Sequence, residues 1–198
     1  MRSTLLLAAL VLVPTLALTT GCGGTTVNRL DEKTDVDLSG NWNAGDSRRV
    51  ADKMIADCIS FPWADQYKSQ HNRIPTVKTG TIKVITNGDV VNTEIFTNDL
   101  QRALLRSGKA QPVASNSEKD QARDERKDQD VNASETTRKE GFQETGADFL
   151  IIGTINVQDD QAGGKRHKFY SVDLKMTDVK TNQQVWIGNE KISKLIER

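Results

Sequence analysis

Histidine and cysteine are scarce in this sequence, with two of each among 198 residues. Catalytic nucleophiles, general bases and metal sites draw largely on these residue types, so the chain holds little material for them. His71 and His167 stand in the polar stretches QHNR and KRHK, which favours surface positions. The motifs HExxH, GxSxG and CxxC and the Walker phosphate loop are also absent. We therefore predict no catalytic, metal-binding or cofactor-binding residues, and a protein that is not an enzyme.

Net charge is lacking as well, because 27 lysines and arginines are balanced by 27 aspartates and glutamates. Binding to nucleic acid or to an anionic membrane surface depends on an excess of positive charge. The composition gives no electrostatic basis for either, and we expect no nucleic-acid partner.

No hydrophobic run is long enough to span a membrane. The longest, LLLAALVLVPTLAL at residues 5–18, has about 14 residues where about 20 are needed. It follows a single arginine and precedes small residues, which is the order of a signal peptide. The stretch LTTGC that ends at Cys22 resembles a lipobox, with threonine where leucine is usual. We predict that residues 1–21 are a signal peptide cleaved between Gly21 and Cys22, and that the Cys22 thiol is acylated. The alternative is an ordinary secretory signal with an incidental cysteine.

The predicted lipid determines where the protein resides. Each acyl methylene buried in a bilayer contributes about 0.8 kcal/mol, so an acylated cysteine holds a protein on a membrane without a spanning helix. Gly23 follows Cys22, whereas aspartate at that position retains enterobacterial lipoproteins in the inner membrane. We expect a protein anchored to the outer membrane by lipid, with its domain facing the periplasm.

Two regions of different composition follow the signal peptide. Residues 22–45 contain few apolar residues and many Gly, Thr, Asn and Asp, and they cannot bury enough surface to fold alone. We predict a lipidated flexible tether over 22–45 and one domain over 46–198. The tether contains no proline, and at about 3.5 Å per residue it spans at most roughly 80 Å.

Apolar residues recur at helical spacing over 46–59 and over 93–107, which predicts two amphipathic helices. Asp46 or Ser47 is the expected N-cap of the first helix, and Thr93 that of the second. The two apolar faces are formed by Val50, Met54, Ile55 and Cys58, and by Phe96, Leu100, Ala103 and Leu104.

The second cysteine, Cys58, has no disulfide partner once Cys22 is acylated. Its place on an apolar helix face is typical of a small buried hydrophobic residue. We predict that Cys58 is buried and unreactive.

Residues 117–140 are almost entirely polar. Charges of opposite sign three or four residues apart, such as Asp120 with Arg123, predict a solvated helix with weak ion pairs. A further helix is expected to begin at Ser134 and to bury Phe142.

The remaining pattern predicts strands. Residues 76–85 are rich in β-branched types, and 111–114 is long enough for a short strand. The run FLIIGTI at 149–155 is typical of a strand buried on both faces. Two more strands are expected at 169–176 and 185–192, each preceded by a turn signal. The fold class is therefore α/β, a small mixed β-sheet with helices packed on it, ending in a three-strand antiparallel meander.

A family resemblance is carried by six parts of the sequence: DLSGNWN at 37–43, Asp57-Cys58, Pro62-Trp63, residues 93–108, GADF at 146–149 with Gly153-Thr154-Ile155, and VWIG at 185–188. Together they resemble the LpoB family of penicillin-binding protein activator lipoproteins. The resemblance implies a fold like the N-terminal domain of TolB. It also implies a protein that is not an enzyme, which binds the periplasmic domain of a penicillin-binding protein and stimulates its polymerisation and crosslinking of peptidoglycan.

The leading hypothesis is an outer-membrane lipoprotein that binds and activates a peptidoglycan synthase. The alternative is a structural lipoprotein of an outer-membrane or secretion assembly without a synthase partner, and a hydrolase is third. Trp42 stands in a polar segment and is a candidate partner-binding residue, because tryptophan is enriched at interface hot spots. Packing of the tether onto the domain is the alternative for Trp42.

Overall fold

The computed structural model describes residues 27–31, 34, 36–139 and 144–197. The predicted signal peptide, Gly21, Cys22 and Phe142 lie outside these ranges. Lys33–Arg198 form one compact unit. Residues 27–31, which belong to the other unit, contain no helix or strand. No helix within the described ranges has the length and apolar character needed to cross a membrane.

The compact unit is built on a five-stranded sheet with the strand order β2-β1-β3-β4-β5. β1 runs parallel to both of its neighbours, and β3, β4 and β5 form an antiparallel meander. The predicted mixed sheet and its final three-strand meander are confirmed. The strands are β1 (Thr76–Ile85), β2 (Gln111–Pro112), β3 (Phe149–Ala162), β4 (Lys165–Asp178) and β5 (Gln184–Glu197).

Four helices accompany the sheet in the described ranges: α1 (Ala44–Ser60), α2 (Trp63–His71), α3 (Thr93–Ser107) and α4 (Asn116–Asn132). α1 and α3 pack on each other and on one face of the sheet, α1 against β5 and α3 against β1. The predicted apolar helix faces enter the core there. Its largest fully buried side chains include Trp186, Tyr170, Phe96, Leu100, Ile151 and Ile155.

The helix caps differ from the predicted ones by a few residues. Asn43 caps α1 by accepting the Asp46 amide at 3.0 Å, and the Asp46 carboxylate accepts the Asn43 amide at 3.1 Å. Asn92, not Thr93, caps α3 by accepting two amides of its first turn. The predictions of caps at Asp46 or Ser47 and at Thr93 are wrong, because a reciprocal capping box satisfies two free amides and so favours the earlier start of α1.

α4 is the predicted solvated helix. It buries no residue, and Arg123 donates to Asp120 at 2.7 Å. The prediction of a new helix from Ser134 is wrong over residues 134–139, which form a turn. The Ser134 carbonyl accepts the amides of Thr137 and Arg138, and its hydroxyl lies 2.8 Å from that of Thr137. Such side-chain contacts compete with helix formation.

Candidate partner-binding face

Trp42 belongs to the core of the compact unit. Its ring is 9% exposed and meets Phe96 and Tyr170 edge-on, with centroid distances of 6.0 and 5.6 Å.

Trp42 belongs to a segment that lies directly before α1 and packs on the sheet. We call this segment, residues 36–43, the strap. β3, β4 and β5 have 14 residues each, about 46 Å, whereas the 17 residues of α1 extend about 25 Å. The strap covers part of the sheet beyond the helices.

Buried charges attach the strap to the sheet. Lys168 on β4 is almost fully buried and donates to Asp89 at 2.6 Å and to the Asn41 side chain. The Tyr170 hydroxyl donates to Asp89 at 2.8 Å and lies 3.2 Å from the Gly40 carbonyl. Burial, followed by the adjacent Asp89 carboxylate, raises the pKa of Tyr170. A partner reaches Trp42 only if this network opens, so a role of Trp42 in partner binding stays a prediction.

A second group of ion pairs, formed by a lysine on β5, attaches the strap to the sheet. Lys194 donates to the carboxylates of Asp37 and Asp46, and to the Asn41 carbonyl at 3.1 Å. Asp46 is itself fully buried and also accepts Arg49 at 2.7 Å. Residues 36–43, which lie inside the predicted tether, therefore pack on the domain.

The segments that carry the family resemblance contain several residues that hold the core together. The Trp186 indole donates to Asp57 at 2.7 Å. Gly188 leaves room for that indole, because a Cβ there would lie 2.1 Å from Trp186 Cζ2. Trp63 donates to the Cys58 carbonyl at 2.7 Å. These residues attach α1 to β5 and to α2. The segments that carry the family resemblance therefore contain residues that stabilise the fold more than residues that are exposed to a partner.

Cys58 is fully buried, as predicted. Burial raises the pKa of its thiol to about 12, against a smaller opposing effect of the contact with Trp63, and the neighbouring Asp57 carboxylate raises it further. The thiol is therefore almost entirely protonated near neutral pH, and a protonated thiol is a poor nucleophile.

Asp148 organises the start of β1 and β3. It accepts Arg73 at 2.7 and 2.8 Å, Tyr67 at 2.5 Å, and the Thr76 amide at 2.7 Å. Burial acts to raise the pKa of Asp148, but the hydrogen bonds from Arg73, Tyr67 and Thr76 outweigh it and hold this pKa well below its usual range. Burial, the hydrogen bond to Asp148 and its charge raise the pKa of Tyr67 to about 12. Sequence reasoning missed this cluster, because its members are distant in the chain.

The two histidines take part in surface contacts. His71 stacks on Tyr67 with a centroid distance of 4.0 Å, and His167 Nε2 lies 2.7 Å from the Ser193 hydroxyl. Among the described residues, no group of three or more His, Cys, Asp or Glu side chains is placed to hold a metal ion.

The face of the sheet opposite α1 and α3 has no helix packed over β3, β4 and β5 in the described parts of the chain. Strand residues alternate between the two faces, and the outward residues here are exposed or half-buried. We call this surface the open face. The strand register arranges it in three rows, Ile152–Lys175–Ile187, Lys83–Thr154–Asp173–Asn189, and Ile85–Asn156–Ser171–Lys191.

The middle of the open face is a hydrogen-bonded polar cluster around Asp173. Asn189 donates to this carboxylate at 2.7 Å, and Asn156 and the Ser171 hydroxyl donate to it at 3.3 Å. Side chains on neighbouring strands hold one another in place here, so the surface is preorganised for contact.

Apolar and cationic groups flank this cluster. Ile152 is 41% exposed and Ile187 is 58% exposed, on either side of the exposed Lys175. Lys83 stands on the neighbouring row. Ile152, Lys175 and Lys83 border a shallow depression of about 520 Å³, which is also lined by Thr81, Gly153, Thr154 and Asp173.

The open face corrects one prediction from the sequence. The run 149–155 was expected to be buried on both faces, but only Phe149, Ile151 and Ile155 are buried, all toward the helices. Ile152 points to the open face instead. The apolar run is continuous because its strand has one face in the core and a partly apolar face on the surface. The sequence alone gives no signal for this face, because a continuous apolar run is also what a strand buried on both faces shows.

Solved structures similar to this chain are distant. The structure of Escherichia coli LpoB determined by NMR has 14% identity and a TM-score of 0.42, with 91% of this chain and 89% of that chain covered. The LpoB C-terminal domain from Salmonella enterica has 16% identity and a TM-score of 0.34, covering 67% of this chain and 94% of its own. Lipoprotein GNA1162 from Neisseria meningitidis has 10% identity and a TM-score of 0.40, covering 61% and 83%. At these identities and TM-scores, the similarities do not establish the fold or the partner of this chain.

Comparison with models of protein families assigns this chain to a family. No protein of curated function matches the sequence. The sequence model described as peptidoglycan-synthase activator LpoB matches residues 46–192, from the first turn of α1 into β5. Because this match covers most of the chain, the protein belongs to the LpoB family of peptidoglycan-synthase activators.

Proposed function

We propose that this protein is a lipid-anchored activator that binds a penicillin-binding peptidoglycan synthase and stimulates its polymerisation of glycan strands. The observation that carries the proposal is the family match over residues 46–192. An activator must favour its partner's active state by differential affinity. A coupling free energy of about 1 to 3 kcal/mol corresponds to roughly 5- to 150-fold stimulation.

The proposed anchor is the acylated Cys22 in the outer membrane, with the domain in the periplasm. The strap bears on how far the domain reaches from that anchor. If the strap stays packed, residues 23–35 alone connect it to Cys22, and 13 residues extend at most about 45 Å. The synthase therefore has to present its binding surface close to the outer membrane, or the strap has to detach.

We further propose that the protein acts by binding and not by catalysis. The two polar clusters with the best-defined geometry, around Asp148 and around Asp89, have their side chains engaged in holding the fold. Neither cluster pairs a free nucleophile with a base.

The test uses the mature chain from residue 23, without the lipidated cysteine, and the synthase of the same organism. Glycan polymerisation from lipid II is measured with the synthase alone, the chain alone, and both. We expect stimulation by the native chain and none by the heat-unfolded chain. Release of muropeptides from peptidoglycan by the chain alone would contradict the non-catalytic proposal. Failure to bind any synthase of the organism would favour a structural lipoprotein.

A further inference from the structure

We propose that the open face is the surface that docks the synthase, and that it takes an acidic partner surface that also presents aliphatic side chains. This inference rests on the proposed function and adds the place and the chemistry of the contact. It depends on three features of the face: exposed isoleucines on ordered strands, an excess of lysine, and a preorganised polar cluster.

The exposed isoleucines are the first feature. Ile152 lies on β3, the central strand of the sheet, and Ile187 lies two strands away in the same row. Both are about half exposed although the adjacent core is densely packed. Covering apolar surface contributes roughly 25 cal/mol per Å², so a partner that covers this row gains free energy there. A face with no partner has no such reason to carry two exposed isoleucines in one row.

The excess of positive charge is the second feature. The three rows contain Lys83, Lys175 and Lys191 against one carboxylate, Asp173, whereas the whole chain has as many acidic as basic residues. All three lysines are exposed, and in the described part of the chain none of them is ion-paired. An acidic partner surface is complementary to this arrangement. A symmetric pairing of two copies through this face would oppose lysine to lysine, which disfavours a second copy as the occupant.

Preorganisation is the third feature, and α4 provides the contrast. Basic side chains of α4 form ion pairs with acidic ones of the same helix, as in Arg123–Asp120 and Lys127–Asp124, and they lie on a helix with no buried residue. On the open face, Asn189 and Asn156 fix the Asp173 carboxylate, and the sheet fixes the row spacing. Less conformational entropy is lost when a partner binds a surface that is already ordered.

The size of the face is consistent with the centre of an interface. Strands about 4.8 Å apart and rows about 6.7 Å apart give the three rows an area of roughly 200 Å². A typical partner contributes about 800 Å², of which the desolvated centre is a minor part. The apolar row then lies beside the polar cluster, with Lys175 between its two isoleucines.

The test compares two charge-reversal variants of the mature chain from residue 23. Lys83→Glu combined with Lys175→Glu should lower the affinity for the periplasmic part of the cognate synthase about tenfold or more and flatten its dependence on salt. The matched control is Lys127→Glu on α4, which should change the affinity less than twofold. Circular dichroism and thermal unfolding establish that both variants fold. Ile187→Asp, which replaces an apolar side chain of the row with a charge of the same sign as the acidic partner surface, should weaken binding by a similar factor.

The outcomes of these experiments distinguish a failure of the proposed docking surface from a failure of the proposed function. If the wild-type chain binds and stimulates the synthase and the double variant does so equally well, the docking surface lies elsewhere and the inference is overturned while the function stands. If the wild-type chain binds no synthase, the proposed function fails. A wild-type dimer in sedimentation velocity that Ile187→Asp dissociates assigns the face to a second copy and overturns the inference. Binding that strengthens when residues 23–35 are removed assigns it to this chain's own N-terminal segment, with the same consequence.

Discussion

The substitution Trp42→Ala distinguishes the two roles that the sequence leaves open for this tryptophan, namely packing on the domain and binding a partner. The substitution removes an indole that is 9% exposed and lies against Phe96 and Tyr170. The Trp42 indole Nε1 donates no hydrogen bond to any described residue, so the loss is one of packing alone.

The expected loss follows from that geometry. Truncation of a buried tryptophan to alanine costs about 3 to 5 kcal/mol. The value for Trp42 should lie near the lower end, because the strap is a surface segment and can partly collapse into the space. We expect the free energy of unfolding to fall by about 3 kcal/mol, which lowers Tm by roughly 6 to 12 °C for a domain of this size.

Urea unfolding of the mature chain from residue 23, followed by tryptophan fluorescence and circular dichroism, measures this loss. Leu38→Ala is the matched control, because Leu38 lies in the same strap and is 92% exposed; its effect should stay within about 0.5 kcal/mol. A loss below about 1 kcal/mol for Trp42→Ala would refute the assignment of Trp42 to the core. Unchanged stability together with lost synthase binding would establish Trp42 as a partner anchor instead.

Three further predictions concern Asp148, Cys58 and Cys22. Asp148→Asn should lower the free energy of unfolding by about 2 kcal/mol at pH 7. Because the folded pKa of Asp148 is depressed, its contribution is fully present above the unfolded pKa of about 3.9 and is lost progressively as the pH falls from there through the folded pKa. Urea titrations should therefore show a smaller difference between wild type and Asp148→Asn at pH 3 than at pH 7, and a constant difference would contradict the account. Cys58 should react with a thiol reagent only on unfolding, because its thiol is buried with a pKa of about 12; rapid labelling of the folded chain would be inconsistent with this. Cys22→Ser should abolish incorporation of radioactive fatty acid, and a variant still labelled and cleaved would show that the lipobox prediction is wrong.

Local patterns predicted most of the elements of the compact unit. β1 was predicted over 76–85 and is observed at Thr76–Ile85, because a run of β-branched residues between a proline and a turn leaves few alternatives. The end of α3 at Ser107 was also predicted, and the φ of 65° at the following residue, Gly108, is the left-handed conformation that glycine adopts without strain. Strands β3 and β4 extend further than predicted, because pairing in the long hairpin continues through polar residues that carry no strand pattern of their own.

The candidate face could not be predicted as a surface from the sequence. An isoleucine in a strand indicates burial, and Ile152 gave no local sign that its side of β3 is open. Whether a face is covered depends on where the helices pack, which is a tertiary property. Packing of the strap was predicted only as the alternative role for Trp42. The polar composition of the strap resembles a flexible tether, and its attachment depends on Lys168 and Lys194, more than a hundred residues away in the chain.

The central claim is that binding of this chain activates a synthase. The most direct test titrates the mature chain from residue 23 against a fixed amount of the cognate synthase, and follows occupancy and the rate of glycan polymerisation in the same samples. We predict a rate that rises roughly 5- to 150-fold and saturates in parallel with occupancy. A polymerisation rate that stays unchanged while the synthase becomes saturated would contradict the account.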